Sequence, residues 1–164
     1  MDVTKNLKIL EVENTNLCNF KCCFCPHEKM QRKQGVMDMQ LFRKTVDEVK
    51  EWNLQYLLIT GLGEPLFDSG LAEKVKYAKE NMPKSCRISV TTNASLLTKK
   101  KFIELSNAGL DELRISCYAT SLESFKKLHG SEEFEKVKEN IVNLKEIRKS
   151  LGKTNPVICM GLLK

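Results

Sequence analysis

Strand-like and helix-like segments alternate along almost the whole of this 164-residue chain, and that order constrains the fold more than any other feature. Five short segments rich in branched residues read as strands: Leu7 to Glu13, Gln55 to Thr60, Arg87 to Thr92, Glu112 to Cys117 and Val157 to Leu163. Between them the apolar period lengthens to that of a helix. Asp38 is a good N-cap, and Phe42, Val46, Val49 and Trp52 share one face after it. Leu71, Val75, Ala78 and Met82 form a second stripe. Thr98 caps a third helix around Phe102 and Leu105, which Gly109 ends. A short helix is expected near Ser121 to Leu128. Phe134, Val137, Ile141, Leu144 and Leu151 make one longer stripe before the Asn155–Pro156 turn. Repeated strand–helix–strand order argues for parallel strands joined by helical crossovers, an α/β fold.

The length suits one domain, with no linker, low-complexity tract or internal repeat. Hydrophobic residues at 41% against 29% charged are the balance of a globular chain, not a disordered one. No apolar run is long enough to cross a bilayer, and the charged N-terminus lacks a secretory stretch, so an unexported, cytoplasmic protein without a membrane partner is expected. The net charge of +6 comes from 27 basic residues scattered among 21 acidic ones. A nucleic-acid protein gathers such charge on one face and adds a reading motif, so solvated helix faces are the better account. The sequence stops at Lys164 directly after a strand, with no helix to cover it. A barrel truncated after its fifth strand is therefore expected.

Four of the seven cysteines crowd between Cys18 and Cys25, just after the first strand. Adjacent Cys22 and Cys23 disfavour a disulfide framework, and clustered cysteines in an unexported chain point to metal or redox chemistry. Cys18, Cys22 and Cys25 can hold three corners of an iron–sulfur cube, because iron favours soft thiolates. With no fourth ligand evident, one iron stays open to a small molecule. A zinc site from Cys22, Cys25 and His27, with Cys18 or Cys23, is the competing reading. Cys23 interrupts the iron–sulfur spacing and is not assigned as a ligand. Cys86, Cys117 and Cys159 read as small core thiols. His27 and His129 read as surface or cap residues without a role.

Other strand ends offer a test independent of the cysteines, since sites in parallel α/β proteins gather there. The second strand ends in GLGEP, where glycines 61 and 63 would let backbone approach a ligand and Glu64 would accept from a cation. Along the third strand Ile88, Val90 and Thr92 face the helices, and Ser89, Thr91 and Asn93 face inward. In the fourth, Leu113, Ile115 and Cys117 face outward, and Arg114, Ser116 and Tyr118 inward. Glu13, Arg114 and Tyr118 are candidates to touch a substrate, and polar packing inside the barrel explains them equally well.

The CxxxCxxC spacing, with Phe24 before the third cysteine, resembles the signature of the radical S-adenosylmethionine family. GLGEP is similar to that family's GGEP motif, with Leu62 replacing a glycine. The segments around Thr91 and Ser116 look like its TTNG and ISxD motifs, although Ala94 replaces a glycine and Tyr118 an aspartate. The resemblance implies a partial (βα) barrel, with residues 1–164 as the N-terminal portion of the core domain. It implies a 4Fe–4S cluster on Cys18, Cys22 and Cys25. It also implies S-adenosylmethionine held by Phe24, Gly63, Glu64, Thr91, Asn93 and Ser116. The implied activity is reductive cleavage of S-adenosylmethionine to a 5′-deoxyadenosyl radical that takes hydrogen from a peptide or small-molecule substrate. An external electron donor such as flavodoxin or ferredoxin is the implied partner.

Overall fold

The computed structural model describes residues 6–161. Five strands, β1 (Ile9–Val12), β2 (Tyr56–Ile59), β3 (Arg87–Thr92), β4 (Glu112–Ile115) and β5 (Val157–Met160), form one sheet in the order β1-β2-β3-β4-β5. Every neighbouring pair is parallel, with Val12 opposite Ile59, Ile59 opposite Val90, Thr92 opposite Ile115 and Ile115 opposite Met160. The strand ends that follow these pairs therefore open side by side at one edge of the sheet. The α/β expectation holds. The last two residues of the expected fifth strand, Leu162 and Leu163, lie outside the described residues.

Six helices connect the strands: α1 (Met39–Val49), α2 (Leu71–Asn81), α3 (Lys99–Asn107), α4 (Leu122–His129), α5 (Phe134–Val142) and α6 (Leu144–Ser150). Asp38 caps α1 by accepting from the Leu41 amide, and Thr98 caps α3 by accepting from the Lys101 amide. Each such cap stabilises its helix by about 1 kcal/mol. Ser121 opens α4 with a reciprocal capping box to Ser124, and Gly130 closes it at φ 60°. The apolar stripes meet the outer face of the sheet. Phe42, Val46, Val75, Ala78 and Phe102 are fully buried against Leu57, Ile59, Ile88, Val90 and Leu113. Burying one such large side chain contributes roughly 1.5–3 kcal/mol.

The single long stripe expected after Phe134 is two helices. The Asn143 side chain donates to the Glu139 carbonyl at 3.3 Å, the acceptor its own backbone N–H would use in a continuous helix. That N–H turns to Ile141 instead, and α5 ends. The apolar positions still serve one core, because Val137, Leu144 and Ile147 are all buried.

Candidate cofactor site

Beyond the carboxyl ends of β1 to β4 lies a cavity of about 230 Å³. Its walls bring together Cys18, Cys22 and Cys25 of the loop after β1, residues 60–64 after β2, Thr91 and Thr92 of β3, and Asn93 just after it. Ser116 and Tyr118 after β4, Phe24 and His129 complete it. All nine residues expected from the sequence to hold metal or cofactor therefore border one space. They reach it from four separate strand ends.

The cysteine loop is clamped at both sides. Asn16 accepts from the Gly35 amide at 2.7 Å and donates to the Lys33 carbonyl at 3.0 Å, closing the long return to α1. His27 donates through Nε2 to the Asn16 carbonyl at 2.8 Å, which occupies that nitrogen. On the other side the Lys21 and Cys23 amides donate to the His129 and Leu128 carbonyls, the last of α4. Gly130 is required there, since a Cβ on it would sit 2.6 Å from the Lys21 carbonyl oxygen. Burial and the neighbouring Cys18 and Cys25 push the Cys22 thiol up to about 12, and burial also raises Cys18. Cys23 is exposed and lies outside the cavity wall. Among the described residues no three His, Cys, Asp or Glu side chains surround a single ion position. A cubane takes one thiolate on each of three separate irons, so its ligands need no common point.

The GLGEP turn packs closely on the exit of β1. A Cβ on residue 63 would lie 2.1 Å from the Thr15 carbonyl oxygen, and one on residue 61 would lie 2.5 Å from Glu13 Cγ. These glycines let the turn pack on the exit of β1 while its backbone still borders the cavity. Glu13, read either as a substrate contact or as polar packing, accepts from the Leu62 amide at 2.8 Å and pairs with Arg32 at 2.6 Å. It fastens the same turn. Glu64 is 2% exposed, and its carboxylate accepts from Thr92 Oγ1 (2.6 Å), the Asn93 amide (2.7 Å) and the Leu66 amide (3.1 Å). Burial pushes its pKa up, against these hydrogen bonds and the charge of Lys101. The carboxylate thus joins the ends of β2 and β3. What residues 61–63 offer the cavity is backbone: among the described residues no chain donor reaches their carbonyl oxygens.

Asn93 is similarly committed. Its side chain accepts from Ser95 and donates to Asn19 Oδ1 at 3.1 Å, tying β3 to the cysteine loop. Ala94, where the sequence lacks a glycine, holds φ 63° while fully buried. Thr91 and Ser116 are half-buried on the wall, with Ser116 Oγ donating to the Thr92 carbonyl at 3.2 Å. Phe24 is half exposed at the rim, edge-on to Tyr118 at 5.6 Å. The expected outward face of β4 holds, with Leu113, Ile115 and Cys117 buried. Arg114 does face the open side, where it pairs with Glu112.

Thr92, expected on the helix-facing side of β3, and His129 line the cavity without a site assignment from sequence. Thr92 is the donor that holds Glu64. His129, read as a surface or cap residue, is 1% exposed and packs among Phe20, Phe24, Tyr118 and Phe125. Burial lowers its pKa. Its Nδ1 lies 3.3 Å from Cys22 Sγ. A histidine ending an apolar helix face, as Phe125, Leu128 and His129 do, is the one signal that could have placed it inward.

A parallel sheet with helical crossovers, carrying a three-cysteine loop after its first strand and a cavity across four strand ends, is a partial (βα) barrel of the cofactor-binding kind. The chain belongs to the radical SAM superfamily, whose model matches residues 12–161. A 4Fe–4S cluster and S-adenosylmethionine are the cofactors of that family. Among curated relatives, a probable GTP 3′,8-cyclase of Saccharolobus islandicus (strain Y.N.15.51) is 33% identical over 135 residues. That match takes in 82% of this chain and 42% of the relative, so the chain spans about two fifths of such proteins. The crystal structure of BtrN in complex with AdoMet and 2-DOIA superposes with a TM-score of 0.69 at 21% identity, covering 95% of this chain and 56% of BtrN. The structure of anSMEcpe with bound AdoMet and a peptide gives a TM-score of 0.72 at 19% identity, covering 95% and 42%. At these identities the superpositions establish the shared fold.

Proposed function

We propose that Cys18, Cys22 and Cys25 hold a 4Fe–4S cluster, and that the cavity beside them binds S-adenosylmethionine for reductive cleavage. The observation that carries this reading is the convergence of the three thiols with four strand ends on one cavity. The donor chemistry fits the cluster. Iron neutralises thiolates that burial and mutual repulsion otherwise keep protonated, so loading is coupled to proton release. With three protein ligands, the cluster would keep capacity to take S-adenosylmethionine from the adjoining cavity.

Held by Cys18, Cys22 and Cys25, such a cluster would supply the one electron for reductive cleavage of S-adenosylmethionine and so for hydrogen abstraction from substrate carbon. The chain's own residues bind and orient. The bare carbonyls of residues 61–63 accept from the cofactor's amino group, with Gly63 and Glu64 setting the turn that presents them. Glu64 acts as a positioning residue through Thr92 and Asn93. Thr91 and Ser116 offer hydroxyls to the sugar, and Phe24 at the rim offers a face for the adenine. The aromatic wall around His129 keeps water from one side of the thiols.

Residues 1–164 are read as the front portion of such a core domain, consistent with relatives more than twice as long. The substrate is a small molecule or a peptide, and the similarity to probable GTP 3′,8-cyclases favours a small molecule. The electron comes from a flavodoxin- or ferredoxin-like donor. Among the described residues no helix is long and apolar enough to cross a membrane. The test is anaerobic reconstitution with iron and sulfide, then dithionite and S-adenosylmethionine, with 5′-deoxyadenosine measured. Formation of deoxyadenosine supports the proposal. A loaded cluster that yields none defeats it.

A further inference from the structure

His129 is the one buried ionisable side chain at the cavity that the reading above leaves without a chemical task. It ends α4, and the chain around it fixes its position tightly. The His129 carbonyl accepts from the Lys21 amide at 3.1 Å, and Gly130 turns the chain away at φ 60°. The ring is held at 4.6 Å from the Phe125 centroid and stacked on Tyr118 at 5.8 Å, with planes 14° apart. Phe20 closes a third side at 5.8 Å.

The two ring nitrogens face different partners. The Tyr118 backbone N–H lies 3.3 Å from Nε2, and a backbone amide can only donate. Nε2 must therefore be the bare nitrogen. A neutral imidazole then carries its proton on Nδ1, and the atom 3.3 Å from Nδ1 is Cys22 Sγ. The chain's own backbone selects the tautomer that points an N–H at a thiolate ligand.

Resting on the family reading of the three cysteines, we infer that His129 is a positioning residue for the cluster. It is locked as the Nδ1–H tautomer by the Tyr118 amide, and it donates a hydrogen bond to the Cys22 thiolate that raises the cluster's reduction potential. Donors to cluster sulfurs stabilise the reduced, more negative form. This links the loop after β4, which carries Tyr118, to the redox poise of a cluster held after β1. The aromatic shell shields the bond from water, which strengthens it.

The test uses the reconstituted chain and its His129→Phe variant, which fills the space but cannot donate. Midpoint potentials are read by titration with mediators, following the reduced-cluster EPR signal. At the wild-type midpoint, the ratio of reduced to oxidised cluster falls about tenfold in His129→Phe, a shift of about 59 mV to lower potential. An unchanged or higher midpoint overturns the inference. A second measurement covers a variant that fails to load. The chain has two histidines, so a His27→Gln protein with ¹⁵N-labelled histidine reports His129 alone. Its reduced cluster shows a ¹⁵N coupling in pulsed EPR, and in the cluster-free protein ring shifts mark Nδ1 as protonated and Nε2 as bare. The reverse tautomer or a missing coupling overturns the inference. A wild type that takes up no cluster overturns the proposed function along with it, whereas a loaded wild type insensitive to His129→Phe overturns this inference alone.

Discussion

Replacing Gly63 by alanine separates two accounts of the GLGEP turn. An added Cβ meets three backbone atoms: the Thr15 carbonyl oxygen at 2.1 Å, its carbon at 2.7 Å and Asn16 Cα at 2.8 Å. None of these can rotate away as a side chain can. Restoring an ordinary contact of 3.4 Å to the oxygen needs a displacement of about 1.3 Å between the turn and the exit of β1. That displacement breaks the 2.7 Å bond from the Glu64 amide to the Leu17 carbonyl. Overpacking of this kind costs about 1–3 kcal/mol. The lost hydrogen bond adds about 1 kcal/mol. Gly63→Ala should therefore destabilise the cluster-free chain by about 2–4 kcal/mol. The matched control is Gly35→Ala, where nothing lies within 4 Å. That change is expected to be neutral or to stabilise by up to about 1 kcal/mol. Urea unfolding of both variants, with unchanged m, measures the difference. Equal stability of the two would refute the packing account. Loss of S-adenosylmethionine binding by a fully stable Gly63→Ala would restore a direct ligand role for that glycine.

Three further expectations follow from the same geometry. Glu64→Gln leaves a backbone N–H facing an amide N–H at Leu66 or Asn93, a loss of about 1–3 kcal/mol at mildly acid pH. Because the folded-state pKa of Glu64 is raised, its contribution is full below the ordinary carboxylate value and fades as pH rises through the folded value, so the deficit of the glutamine variant narrows upward in pH. Urea unfolding across that range checks it, and a deficit that widens with pH contradicts it. Ala94→Gly should stay within about 1 kcal/mol of wild type, since relief of the positive φ offsets a lost methyl and added chain entropy. Ala94→Val should cost about 2–4 kcal/mol at this fully buried position, and a tolerated valine would contradict the strain. In the cluster-free chain at about pH 8, iodoacetamide should label exposed Cys23 first and Cys22 last of the loop thiols, because Cys22 is pushed up to about 12 and thiolate is the reactive form. Mass spectrometry of the loop peptide reads the order, and early labelling of Cys22 contradicts it.

The sheet was legible because its information is local. Alternation in Leu113, Ile115 and Cys117 marks one buried face, and Asp38, Thr98 and Gly109 sit where helix ends need them. The break at Asn143 was not legible, since nothing in the apolar stripe records that a side-chain amide will capture the Glu139 carbonyl. The cysteine loop could be read from spacing alone. The partners of its neighbours could not. Glu64 reads as a free acid beside glycine, yet two of its three donors are 28 and 29 residues further on. His129 stands 107 residues from Cys22 and becomes its neighbour only because α4 docks on the loop. Close backbone approach at Gly63 is likewise a property of two segments, and a sequence shows them one at a time.

Iron and sulfide content after anaerobic reconstitution, compared across single alanine variants of the four loop cysteines, bears most directly on the account. Cys23→Ala should retain about four irons per chain and the brown absorbance of wild type, while Cys18→Ala, Cys22→Ala and Cys25→Ala should each lose them. A cluster that survives removal of Cys22 but is lost with Cys23 would contradict the assignment at its base.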